Sequence, residues 1–167
     1  MLDLQRQVLP PHLYQSDWWS WPFVIRPIWY LYENVDGAQR GVILVGNLAV
    51  CWGGLVAVAA CLWAFARHRD EKLGAAASLW IGSYGVWAVI PKSLGYFYYY
   101  YLPSIFLPLA IAAACHRHLR GRRSAWEETF LVVALGVFIY FWPMLTAAPL
   151  SGGTDAFKRW MWLPRWP

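Results

Sequence analysis

Charge is scarce in this chain, and its placement excludes several functions. Only 14% of the 167 residues are Asp, Glu, Lys or Arg, against about a quarter in an ordinary soluble domain. All nine carboxylates (Asp3, Asp17, Glu33, Asp36, Asp70, Glu71, Glu127, Glu128 and Asp155) lie outside the long apolar runs. An ion pump or proton-coupled transporter needs an ionisable group at membrane depth, so the pattern argues against both. The four histidines, His12, His68, His116 and His118, also fall between the runs. A bis-histidine haem needs them facing each other inside a bundle, which argues against a cytochrome. Cysteine is limited to Cys51, Cys61 and Cys115, all within apolar runs and without metal-ligand spacing. They read as small buried hydrophobes, and neither a metal nor a cofactor is expected. Met1–Pro11 has no basic stretch followed by an apolar one, so no signal peptide is expected.

What the chain does have is apolar length. Hydrophobic residues make up 59%, gathered into four runs at roughly 41–66, 73–90, 98–115 and 129–147. Each approaches the roughly 20 residues that cross a ~30 Å hydrocarbon slab, and none carries a polar stripe for water. The expected fold is all-α and integral to the membrane: four transmembrane helices over 41–149, an external interfacial arm over 1–40 and an external Trp-rich tail over 150–167. Orientation rests on basic density near the helix ends. Arg67–Lys72 holds three Lys/Arg and His116–Arg123 holds four, while the other seven are spread over the arm, the 91–96 turn and the tail. The two dense links are therefore expected on the cytoplasmic side and both termini outside, in a cell membrane. The net charge of +5 is explained by this topology, and nucleic acid is not an expected partner.

Aromatics are abundant, with 13 Trp and 10 Tyr, the side chains that favour the headgroup level. The stretch Trp18-Trp19-Ser20-Trp21-Pro22-Phe23-Val24-Ile25-Arg26-Pro27-Ile28-Trp29-Tyr30 is too short and too interrupted to span, and fits a segment lying in the interface plane. His12 to Trp19, with Ser16 and Trp18 in it, is the densest polar–aromatic cluster. It suits a sugar or polyprenyl-phosphate headgroup, or a plain interfacial anchor. Arg26 suits a lipid phosphate through its guanidinium fork, or headgroup snorkelling. The run Tyr96–Tyr101 reads as an aromatic belt; being consecutive, it also turns some phenols, Tyr100 among the candidates, toward neighbouring helices or a cavity. Lys92 is the single cation of that turn. Asn47 and Ser83 read as interhelical glue, and Pro103, Pro108 and Pro143 as kinks.

These landmarks, in this order, resemble the C-terminal four-helix region of the protein O-mannosyltransferases, polyprenyl-phosphate-mannose-dependent glycosyltransferases with a GT-C fold. His12-Leu13-Tyr14-Gln15-Ser16-Asp17-Trp18-Trp19-Ser20-Trp21-Pro22 is similar to the family's H-P-Y-x-S-x-W-W-x-W-P, and Arg26-Pro27-Ile28-Trp29-Tyr30 to R-P-x-W-Y. Gly46-Asn47, then Lys92 with Phe97–Pro103, then Tyr140–Pro149 and finally Trp162–Trp166 follow the family order. Leu13 stands where the family has proline, Tyr100 where many members have histidine, and Lys92 where they have arginine.

The resemblance implies transfer of mannose from a lipid carrier to a hydroxyl on the non-cytoplasmic face. The lipid-linked donor would be substrate, with membrane lipids and the rest of such an enzyme as partners. His12, Ser16, Trp18, Trp21, Arg26, Lys92 and Tyr100 become candidates for donor, headgroup and phosphate contacts. None is a catalytic base: the acidic pair that the resemblance places in a first external loop has no match here. The chain is thus expected to be inactive alone, as a fragment or split product. The competing expectation is a non-enzymatic four-helix membrane protein that binds a partner or lipid.

Overall fold

The computed structural model describes residues 10, 12–90, 92–119 and 123–166. The Met1–Leu9 segment, Pro11, Pro91, Pro167 and the 120–122 part of the second basic link lie outside the described residues.

The arm contains the main departure from an all-helical fold. After a 3-10 turn at Trp18–Phe23, the chain forms an antiparallel hairpin of β1 (Ile28–Val35) and β2 (Ala38–Leu44). Its register runs from Ile28 opposite Leu44 to Val35 opposite Ala38. Asp36 and Gly37 make the two-residue turn with φ of 53° and 73°, the positive values that match the right-handed twist of the strands. In β2, Gln39, Gly41 and Ile43 are buried while the residues between them are less so, a period of two that a helix cannot supply. The first helix therefore begins at Leu48, not Gly41.

Helix α1 (Leu48–His68) is capped by Asn47, whose side chain accepts from the Val50 N–H at 3.3 Å and donates to the Ala134 carbonyl at 2.8 Å. One amide thus starts a helix and ties it to the last one. Helix α2 (Glu71–Val89) is capped by Asp70, which accepts from the Leu73 N–H at 3.4 Å and pairs with Arg117 at 3.4 Å. The third apolar run is broken. The 3-10 turn Phe97–Tyr100 and the short α3 (Tyr101–Ser104) precede α4 (Leu107–His118), bent by 40° at the break. Pro103 and Pro108 flank that break, each lacking an amide donor for the ladder. Helix α5 (Arg123–Leu145) closes the bundle and carries Pro143 near its end.

Helices α1 and α5 are long and apolar enough to cross a membrane, and the bent pair raises the number to three if it counts as one span. Glu71, Lys72, two serines and three glycines dilute the apolar character of α2. Within the bundle, 39% of the apolar window of α1 is buried but only 11% of that of α5. Helix α1 is therefore the centre, and α5 presents its apolar surface outward.

Small residues let the helices approach, as in other membrane bundles. Ala57, Cys61 and Ala64 of α1 and Leu107, Ala110 and Ala114 of α4 belong to one buried core. A Cβ on Gly54 would lie 2.6 Å from Leu107 Cβ, and one on Gly74 would lie 2.6 Å from the Phe65 ring. Gly82 has nothing within 4 Å. Gly54→Val should destabilise the bundle by about 1–3 kcal/mol through overpacking, whereas Gly82→Val should leave thermal unfolding in detergent unchanged.

Candidate functional site

Three segments far apart in sequence meet at the end of the bundle where α1 begins. The arm docks on the turn after α2 through the Ser16 N–H, which donates to the Gly95 carbonyl at 2.8 Å. A Cβ at Gly95 would come within 2.5 Å of the Ser16 carbonyl oxygen, so this approach requires glycine. The Trp21 indole donates to Ser16 Oγ at 3.0 Å and packs on Trp87 and Tyr99, with centroids 5.5 and 5.9 Å away. The Trp18 carbonyl accepts from the Tyr84 hydroxyl at 2.9 Å.

The tail closes the arrangement from the other side. Trp166 donates its indole N–H to the Val24 carbonyl at 2.8 Å, and its own carbonyl accepts from the Trp29 indole at 2.9 Å. Trp160 donates to the Tyr140 carbonyl at 2.7 Å. The Tyr140 hydroxyl donates to the Arg159 carbonyl. Arg40 donates to the Ala147 carbonyl at 2.9 Å, and the Leu150 N–H to the Gln39 carbonyl at 2.8 Å, seating the hairpin on the end of α5. The tail is therefore a packed wall and not a loose interfacial anchor.

Between the arm and the end of α2 with its following turn lies a polar cleft of about 90 Å³, lined by Ser16, Asp17, Trp18, Trp21 and Lys92 among others. Lys92 Nζ donates to the Tyr99 hydroxyl and sits 3.7 Å from that ring's centroid, a cation–π placement that orients the ammonium. Behind Ser16 and Asp17 a second cleft of about 170 Å³ is lined by Arg26 and Arg165. Ser16, Trp18, Trp21 and Lys92 are thus brought together, and Arg26 adjoins them through Ser16. His12 stands at the edge. Its Nδ1 accepts from the Tyr14 N–H at 3.2 Å and its ring meets Tyr96 at 5.5 Å.

Tyr100 is elsewhere. It is buried, accepts from the Trp80 indole at 3.1 Å and faces a separate apolar cavity. Sequence reasoning did not assign Asp17 and Arg165 to the site. Asp17 lies inside the quoted motif, and Arg165 between Pro164 and Trp166, so both signals were visible as positions without a partner. Among the described residues, no group of three or more His, Cys, Asp or Glu is placed to hold a metal ion.

Apolar helices of spanning length, with a polar–aromatic cleft at one end of the bundle, define an integral membrane protein. The family model for the C-terminal four TMM region of protein-O-mannosyltransferase matches residues 1–166, and the chain belongs to that family. It is 29% identical, over 93% of its length, to the polyprenol-phosphate-mannose–protein mannosyltransferase of Mycolicibacterium smegmatis. The corresponding protein of Mycobacterium tuberculosis is 28% identical over the same share. The dolichyl-phosphate-mannose–protein mannosyltransferase 1 of Saccharomyces cerevisiae is 40% identical over 31% of this chain and 6% of its own length. The chain spans about a third (33% and 32%) of the two mycobacterial relatives. No solved structure matches it.

Two expectations follow from the tail contacts. Trp166→Phe removes a buried hydrogen bond and should cost about 1–3 kcal/mol, read as a lower unfolding temperature and faster proteolysis at the tail. Tyr32 donates to the Thr154 carbonyl, and burial, then the nearby Asp155 carboxylate, pushes its phenol above the ordinary 10.0. The fold holds the protonated phenol, so the gain is full below the unfolded value of 10.0 and is lost as pH rises through the folded one. The wild-type minus Tyr32→Phe phenolate difference spectrum should therefore titrate above that value; a midpoint at or below it contradicts the raised pKa.

Proposed function

We propose that this chain forms the C-terminal membrane part of an enzyme that transfers mannose from polyprenyl phosphate to a protein hydroxyl, and that its cleft holds the headgroup of the lipid-linked donor. The supporting observation is the convergence of Lys92, Ser16, Asp17 and two tryptophans from the arm and the 92–95 turn in one cleft. Sugars pack on aromatic faces through C–H groups and bond to polar groups at the edge; a phosphate needs a cation. Both kinds of partner are present. As the glycosidic bond breaks, negative charge grows on the leaving polyprenyl phosphate, and a preoriented ammonium stabilises it more than it stabilises the bound donor. Arg26 and Arg165, in the adjoining cleft, extend the positive field.

In this reading the helical runs make four spans. The arm, the 92–95 turn and the tail share the non-cytoplasmic face of a cell membrane with both termini, and the Arg67–Lys72 and His116–Arg123 links lie on the cytoplasmic face. The base that removes the acceptor proton comes from a polypeptide carrying the remaining length of such mannosyltransferases. No residue of this chain is assigned that role.

The test is binding of polyprenyl-phosphate-mannose to the purified chain in lipid nanodiscs, read by tryptophan quenching. Saturable binding is expected. Lys92→Ala should weaken it about 10- to 100-fold, the equivalent of one charge-assisted hydrogen bond, and Lys92→Arg should restore most of it. Wild-type protein that shows no saturable binding, or Lys92→Ala protein that binds as well, overturns the reading. The chain alone should transfer no mannose to a hydroxyl peptide; turnover would place the base within it.

A further inference from the structure

The arm, the hairpin and the tail enclose one more cavity, which donor binding at the polar cleft leaves unused. It measures about 130 Å³ and is lined by Tyr14 of the arm, Trp29 and Tyr32 of β1, and Phe157 of the tail. A regular strand would send Trp29 and Tyr32, three residues apart, to opposite faces. A bulge prevents this. The register steps from Trp29 opposite Ile43 to Leu31 opposite Val42, so Tyr30 has no partner of its own and the alternation shifts by one. Bulges serve elsewhere to re-aim a side chain in this way. Both rings accordingly lie over Gly41, where a Cβ would be 2.9 Å from Trp29 and 3.3 Å from Tyr32.

Phe157 completes a corner. Its plane meets that of Trp29 at 83° and that of Tyr32 at 84°, with centroids 5.8 and 5.0 Å away. Trp29 and Tyr32 meet at 72° with centroids 5.1 Å apart. Three rings set nearly at right angles around a small cavity suit a compact, rounded ligand better than a flat one.

The polar groups narrow the chemistry. The Trp29 indole N–H is spent on the Trp166 carbonyl, and the Tyr32 hydroxyl on the Thr154 carbonyl. A sugar, which needs hydrogen bonds at its edge, is therefore poorly served. A cation that carries methyl groups in place of N–H donors needs none, and is attracted by aromatic rings within about 6 Å. We propose that this aromatic box is a binding site for a quaternary ammonium group. Asp155, whose charge reaches Tyr32, pairs with Lys158 at 2.8 Å and lies outside the lining. The attraction is thus supplied by the rings and not by a carboxylate. The site stands apart from donor binding, and failure of either reading leaves the other intact.

The experiment titrates tetramethylammonium and choline against the full chain in dodecyl maltoside, following the N-methyl proton resonance. A saturable upfield shift from the ring currents is expected. The neutral carbon isostere 3,3-dimethylbutanol and methyl mannoside should show none. Progressively fluorinated phenylalanines at position 157 drain the ring's negative face while keeping its outline. They should weaken binding stepwise, by about tenfold at full fluorination. Tyr14→Leu should weaken it by a similar factor, and Asp155→Asn by less than about twofold; circular dichroism melts show which variants are folded. Competition in phosphatidylcholine nanodiscs but not in phosphatidylglycerol nanodiscs identifies a lipid headgroup as the source of the cation; equal shifts in both identify a soluble ligand. The proposal is overturned by the absence of a saturable shift, by equal binding of the neutral isostere, or by an affinity indifferent to the fluorine series. Loss of binding in folded Asp155→Asn protein also overturns it, since the site would then be an ion pair.

Discussion

The hydrogen bond from the Trp166 indole to the Val24 carbonyl is the contact on which the polar end of this protein depends. Val24 holds a left-handed backbone, with φ at 54°, although a β-branched residue is disfavoured there by about 1–2 kcal/mol. Such a conformation persists only when its surroundings over-determine it. Here they do: Val24 is fully buried, its N–H donates to the Trp21 carbonyl at 2.9 Å, and its carbonyl is taken by Trp166. Because Trp29 also donates to the Trp166 carbonyl, the 24–29 segment is held at both ends by one tail residue. The turn Trp18–Phe23 therefore has a fixed exit, and that fixes the direction in which Trp18 and Trp21 face Lys92.

The two halves of the molecule use different chemistry to become rigid. In the apolar half, small side chains allow close helix approach, and one amide, Asn47, supplies a cross-helix hydrogen bond at 2.8 Å. In the polar half, large aromatic side chains fill space and spend their single N–H or O–H on a backbone carbonyl, as Trp166, Trp160, Trp29, Tyr84 and Tyr140 all do. An indole that is satisfied by main chain positions two segments at once and leaves its ring free to pack. This explains why so many tryptophans lie at a site with few charges.

Much of this was legible in the sequence, and the parts that were not have identifiable causes. The apolar runs, the role of Asn47 and the grouping of Ser16, Trp18, Trp21 and Lys92 could be read from periodicity, placement and family order. The hairpin could not be read by looking for spans, because Trp29, Tyr30, Leu31 and Tyr32 resemble an interfacial run. The Asp36-Gly37 dipeptide, a strong turn signal, was the available clue. Ser83 was read as interhelical glue, yet it bonds back to the Leu79 and Trp80 carbonyls of its own helix, a local alternative that spacing cannot distinguish. The separation of Tyr100 from Lys92 depends on how a broken helix rotates its phenols, and a run of four tyrosines contains no record of that rotation.

The tail clasp has a consequence for how the protein comes into being. Helices enter a membrane one after another as the ribosome works, and α1 can pack as soon as its neighbours arrive. The arm cannot be completed on that schedule. It is synthesised first, but its Val24 segment gains its last hydrogen-bond partner only when a tryptophan 142 residues later reaches it. A chain in which Trp166 is replaced would still bury its helices, with the Val24 carbonyl left without its indole partner. Arrival of the tail, not packing of the helices, is the event that sets the arm's final backbone.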